Sequence, residues 1–279
     1  MDLVNATSSE IVRRSGSNLA FALAVLPREK RDDMRVFYAF CRVADDLADE
    51  PGLSDEFRIE GLARWRRLIR GESSDPRPGI EAEMVQLQSR RKLDAGELEA
   101  IIDGVEKDLN PQTFETKEDL MAYCYLVASA VGLVSIRLFG SQEPASKSYA
   151  EQLGYALQWT NIMRDVGEDA EEGRVFLPIE DLARFGLSKE DLLEGKPDKA
   201  CFQRLMKHET GVARDFYKKA VKALPEEDRK SMRSAELMRR IYSRILDEME
   251  ADGYAVFKKR YKLSKPRMIS EFLKAKFFG

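Results

Sequence analysis

Y-A-F-C-R-V-A-D-D-L-A-D-E, residues 38–50, decides how the rest of the chain is read. On an α-helix Tyr38, Arg42, Asp45 and Asp49 follow at spacings of four, three and four, forming one line down one face. Phe37, Phe40, Cys41, Ala44, Leu47 and Ala48 fill the flanks. A polar line between apolar flanks faces a cavity rather than bulk water. Carboxylates are costly there unless something positive binds them. Asp45 and Asp49 stand one turn apart and can share cations, while Arg42 suits a phosphate oxygen. An acidic helix end that merely faced water would oppose the macrodipole.

The pattern returns about 120 residues later in Q-W-T-N-I-M-R-D-V-G-E-D, residues 158–169. Gln158, Asn161, Asp165 and Asp169 are spaced three, four and four, and Leu157, Trp159, Ile162 and Met163 cover the other faces. Amide oxygens and carboxylates together suit a hard cation such as Mg²⁺, which in turn holds polyphosphate. Arg164 beside Asp165 reaches a diphosphate from the side. Two such lines argue for one shared site acting on a diphosphate ester. E-E-G-R-V-F-L-P follows at 171–178, with Gly173 and Pro178 bracketing Arg174 and Phe176. A flap of this kind would bring Arg174 over the phosphates and exclude water.

Helical periodicity runs nearly throughout, and strand-like alternation is absent. Pro27, Pro51-Gly52, Asn110-Pro111, Pro178, Pro197, Pro225 and Pro266 mark the breaks, and Ser54 and Ser188 read as helix starts. Helices are expected near 5–24, 28–50, 55–71, 79–92, 95–108, 116–139, 147–170, 179–184, 188–193, 199–222, 227–251 and 265–276. The fold class expected is all-α, one domain over residues 1–279. The most apolar run, 121–136, is short for a bilayer span and reads as a core helix. In it Ala128, Ser129, Ala130 and Gly132 alternate with bulk, which suits close helix packing and also a dry channel for a hydrocarbon tail.

Lys plus Arg is 46 and Asp plus Glu 49, a balance without the basic excess of a nucleic-acid binder. From Lys258 onward eight basic residues face Glu271 alone, and Phe272, Phe277 and Phe278 accompany them. Such a segment fits peripheral contact with an anionic membrane, or a solvated terminal helix. Cys41, Cys124 and Cys201 are read as free thiols, and the lone His208 as a surface helix residue. The polar N-terminus shows no signal peptide, so a cytoplasmic location is expected.

Together these segments resemble the squalene/phytoene synthase family of head-to-head prenyl transferases. S-G-S-N (15–18), Y-C-Y-L-V-A-S-A-V-G (123–132), G-R-V-F-L-P (173–178) and I-Y-S-R-I-L-D (241–247) complete the set, in the family's order along the chain. The resemblance implies an isoprenoid-synthase helical bundle with a central cavity. It implies that Asp45, Asp49, Asp165 and Asp169 bind Mg²⁺ and diphosphate, with Asn161 a further metal ligand. It places Ser15, Gly16, Ser17, Asn18, Tyr38, Arg42, Gln158, Arg164 and Tyr242 on the substrate, Arg174 on the flap, and Tyr123 near the reacting carbons. Departures from the family pattern are Asn18 for a common serine, Leu19 for a common aromatic and Phe176 for a frequent tyrosine.

Within the family the clusters look most like bacterial presqualene-diphosphate synthases of hopanoid pathways. The expected reaction is condensation of two farnesyl diphosphates to presqualene diphosphate, with squalene or hydroxysqualene as further products. The alternatives are condensation of two geranylgeranyl diphosphates, as in phytoene synthases, a class I terpene cyclase acting on one diphosphate, and a non-catalytic membrane-associated scaffold. NADPH use is left open: no G-x-G-x-x-G occurs, and reductive family members lack one too.

Overall fold

The computed structural model describes residues 5–15, 26–50, 52–110, 112–264, 266–268 and 270–271. It is 71% helical, and no strand occurs among the described residues. In chain order the helices are α1 (Ser8–Ser15), α2 (Arg28–Asp49), α3 (Asp55–Ile69), α4 (Ile80–Arg91), α5 (Ala95–Asp108) and α6 (Lys117–Cys124). A π-helical turn, Tyr125–Ser129, joins α6 to α7 (Ala130–Phe139). Then come α8 (Ser146–Glu171), α9 (Ile179–Arg184), α10 (Lys189–Leu193), α11 (Lys199–Ala223) and α12 (Arg233–Ala251).

The helix starts follow local chemistry. Ser54 caps α3 by accepting from the Phe57 N–H, Asp94 caps α5 at Glu97, and Asp198 caps α11 at Cys201. Thr116 with Asp119 and Ser188 with Asp191 form reciprocal capping boxes. The helix expected over 5–24 begins at Ser8, and its stretch beyond Ser15 lies outside the described residues.

Helix α8 is the centre of the bundle. It packs against α11, the π turn, α7, α12, α10 and α6. Trp159, Tyr149 and Met163 are among its fully buried side chains, each such apolar residue contributing roughly 1.5–3 kcal/mol or more. Glycines allow close approaches to it: Gly154 lies against the backbone of Ser129, Gly167 against the Val256 carbonyl, and Gly132 of α7 against the Ala150 carbonyl. The small residues read from the sequence at 128–132 therefore serve close packing here.

Lys117–Phe139 is long and apolar enough by composition to cross a bilayer, yet its segments pack against α5, α8 and α2. The π turn holds one more residue than an α-helical turn and leaves Ser129 Oγ donating to the Glu151 carbonyl at 3.0 Å. Helix α2 packs against α4, α5 and α7, and α8 also packs against α7, so the two acidic helices share a neighbour.

Candidate active site

Asp45 and Asp49 lie on the last turns of α2, both accessible to solvent. Burial of the Asp45 carboxyl among protein atoms, with the Asp49 charge beside it, raises its pKa to about 7. Arg42 and Asp108 also act on it, in opposite senses. Water thus reaches Asp45, but the surrounding protein and like charge disfavour its ionised form. Arg42 bonds Asp46 at 2.5 Å, one helical turn on, rather than Asp45 or Asp49. Tyr38 continues the same line, half-buried.

On α8, the Asn161 amide donates to Gln158 Oε1 at 3.3 Å, and Asn161 Oδ1 is buried with no partner. Asp165 receives Arg164 in a two-pronged pair at 2.8 and 2.6 Å. Tyr242 of α12 also acts electrostatically on Arg164. Asp169 is half-buried, and desolvation raises its pKa to about 6 against the opposing pull of Arg174.

The segment after α8 folds back at Gly173, whose φ of +76° suits glycine. The Arg174 N–H then donates to the Asp169 carbonyl, and its guanidinium pairs with Asp169 at 3.2 Å and Glu172 at 2.5 Å. Arg174 also feels the charge of Asp49, and Tyr123 that of Asp169, so the end of α2, the end of α8 and the flap lie within electrostatic reach of one another.

Asp108, at the end of α5, was not singled out in the sequence. It receives the Tyr123 hydroxyl at 2.8 Å. Its pKa rises to about 6, first through desolvation and then through Asp49, while Tyr123 and Arg174 oppose the shift. The same environment pushes the Tyr123 hydroxyl well up. Phe114 and Phe176 pack against the Tyr123 ring at centroid distances of 5.2 and 5.7 Å, forming an aromatic floor. Asp108 ends a helix with no periodic polar partner on its own face, so no sequence signal marked it.

Arg260 is the other surprise. It comes from the basic tail and pairs with Asp165 at 3.1 Å and Glu168 at 2.9 Å. Lys259 and Arg267 are likewise paired, with Asp252 and Glu248. Part of the basic excess therefore neutralises this protein's own carboxylates. The Ser15 side chain, Gly16, Ser17 and Asn18 lie outside the described residues. His208 is half-buried, not a free surface residue, because the Phe185 ring covers it and Asp181 lies beside it.

A hard divalent cation fits the two acidic helices. The buried, partnerless oxygen of Asn161 and the carboxylate pairs Asp45–Asp49 and Asp165–Asp169 offer all-oxygen donors with charge to neutralise. One stability prediction follows. The raised pKa of Asp45 disfavours the folded state as pH rises from about 4 through about 7, because the carboxyl must then ionise in place. Asp45→Asn in metal-free protein should therefore raise the Tm by about 2 °C at pH 8, after discounting for solvent access. At pH 4 it should leave the Tm unchanged. Thermal melts at the two pH values check the difference.

An all-α bundle of this order has the isoprenoid-synthase fold. A solved dehydrosqualene synthase superposes on 97% of this chain and 94% of its own, with a TM-score of 0.84 and 26% identity. Squalene synthase HpnC from Alicyclobacillus acidocaldarius covers 88% of this chain and 93% of its own, with a TM-score of 0.78 and 25% identity. The sequence model described as squalene/phytoene synthase matches residues 12–267, and the chain belongs to that family of prenyltransferases. Among curated relatives, phytoene synthase 1 of Arabidopsis thaliana is 37% identical over 87% of this chain, which spans 58% of that longer protein. 15-cis-phytoene synthase of Synechococcus elongatus is 34% identical over 90% of this chain and 85% of its own length.

Proposed function

We propose that this enzyme condenses two farnesyl diphosphates head to head, forming a cyclopropylcarbinyl diphosphate and releasing one diphosphate. The diphosphate reading rests on the pairing of Arg174 with Asp169 at 3.2 Å, with the charges of Asp49 and Asp108 within reach of the same guanidinium. Asp45, Asp49, Asn161, Asp165 and Asp169 would hold Mg²⁺, which when bound supplies charge neutralisation for a leaving diphosphate.

The chain's own groups do the rest. Arg42, Arg164 and Arg174 would bind phosphate oxygens by exchanging their present carboxylate partners. Ionisation breaks the C1–O bond of one substrate, and the C2–C3 double bond of the other attacks that carbon. Loss of a proton closes the cyclopropane. The Tyr123–Asp108 pair is positioned to take it: Tyr123 already donates to Asp108, whose pKa of about 6 lets the carboxylate accept near neutrality. Phe114, Phe176 and Tyr123 form an apolar floor that keeps water from the cation.

The farnesyl reading draws on the motif resemblance to presqualene-diphosphate synthases and on the likeness to a dehydrosqualene synthase and a squalene synthase. Geranylgeranyl diphosphate is the second reading, supported by phytoene synthases at 34% and 37% identity. Incubation with each diphosphate and Mg²⁺, with and without NADPH, and mass analysis of the products separates them. A C30 cyclopropyl diphosphate or hydrocarbon is expected, and phytoene as sole efficient product overturns the farnesyl reading. Chelation with EDTA is expected to abolish turnover, and added Mg²⁺ to restore it.

A further inference from the structure

Behind the flap lies a second polar cluster that the condensation does not use. Asp181 of α9 and His208 and Glu209 of α11 place three ligand atoms within 4.8 Å of one another. Glu209 is fully buried. Trp159 Nε1 donates to its Oε2 at 2.9 Å, while Oε1 is buried without a partner. His208 Nε2 stands 3.4 Å from Asp181 Oδ1, long for a hydrogen bond. It is close to the roughly 3.4 Å edge between two donors about 2.0–2.2 Å from one tetrahedral metal.

The geometry points to a second divalent-metal site, held by Asp181, His208 and Glu209 and suited to Zn²⁺ or Co²⁺. One imidazole and two carboxylates form a borderline donor set, unlike the all-oxygen set of the acidic helices. Its outer contacts have the usual form: Trp159 orients Glu209, and the Phe185 ring at 5.4 Å steadies the imidazole. Lys117 is the only cation acting on Glu209 among the described residues, and with Asp181 opposite it does not balance two carboxylates.

The ion's place in the fold gives it a purpose. The chain leaving the flap is anchored where Ile179 N–H donates to the Phe114 carbonyl and Glu180 N–H to that of Glu115. Asp181 follows immediately. An ion here would tie α9 to α11 and hold the flap's far end, a structural role separate from the diphosphate site.

The test is Co²⁺ titration of full-length, EDTA-stripped protein in which Asp45, Asp49, Asp165 and Asp169 are all changed to Asn. One equivalent should bind with visible tetrahedral Co²⁺ absorption and be displaced by Zn²⁺. Adding His208→Gln should weaken binding more than the 10–100-fold typical of an outer-contact change. In otherwise unaltered protein, His208→Gln should lower the Co²⁺ stoichiometry by one, which serves if the fourfold variant does not fold. Absence of Co²⁺ absorption, or binding indifferent to His208→Gln, overturns the site. So does a Glu209→Gln variant that melts higher and responds to Zn²⁺ as before, since the pocket then holds a proton instead.

Discussion

Asp45→Asn and Asp165→Asn are each expected to lower kcat/KM for prenyl diphosphate about 10³-fold, the scale of losing one strong electrostatic contact to a developing anion. The two variants should part company in stability. Asp45 is crowded by Asp49 and Asp108, so its neutral replacement relieves repulsion. Asp165 is held by Arg164 at 2.6 Å and Arg260 at 3.1 Å, so its replacement leaves two guanidiniums without their carboxylate. Asp165→Asn should therefore melt below the parent protein at pH 8, where Asp45→Asn melts above it. Steady-state kinetics over a range of Mg²⁺, run beside thermal melts, read both effects. Turnover surviving in both variants would remove the diphosphate reading of the two helices.

Gly154→Ala is expected to carry a large stability cost for a single added methyl. A Cβ at 154 would stand 2.6 Å from Ser129 Cα and 2.7 Å from its nitrogen, and backbone atoms cannot swing aside. The cost should reach about 3 kcal/mol, lowering the Tm by roughly 6 °C or more. Gly211→Ala, on α11, is the control: a Cβ there meets nothing within 4 Å, so the change should stabilise by about 0.5–1 kcal/mol through helix propensity. Equilibrium unfolding in urea distinguishes the two. Equal losses would mean that the approach of α8 to the π turn is not held by Gly154.

The helices and both acidic lines were legible because they rest on short-range rules. Spacings of three and four place Asp45 with Asp49 and Asp165 with Asp169 whatever the rest of the chain does, and Ser54 and Ser188 cap the helices they were expected to start. What escaped depends on contacts distant in sequence. Arg42 was expected to point at phosphate, yet it pairs with Asp46, one helical turn on. Asp108 belongs to the site only because α5 ends beside Tyr123, fifteen residues on. Arg260 reaches Asp165 across ninety-five residues, so its charge read as surplus. His208 looked like a surface residue because Asp181 and Phe185 are brought to it by folding rather than by spacing.

The π turn at Tyr125–Ser129 makes the Lys117–Phe139 helix two rods joined by a fixed angular offset. Each residue of an α-helix advances about 100° around the axis, so one surplus residue rotates everything before it relative to everything after. Tyr123 can therefore point at Asp108 while Leu133, Val134 and Ile136 remain in the core. Shortening this stretch by a single residue would remove that offset and turn the tyrosine out of its aromatic floor. The count of residues between Tyr123 and Ala130 is thus as constrained as their identity.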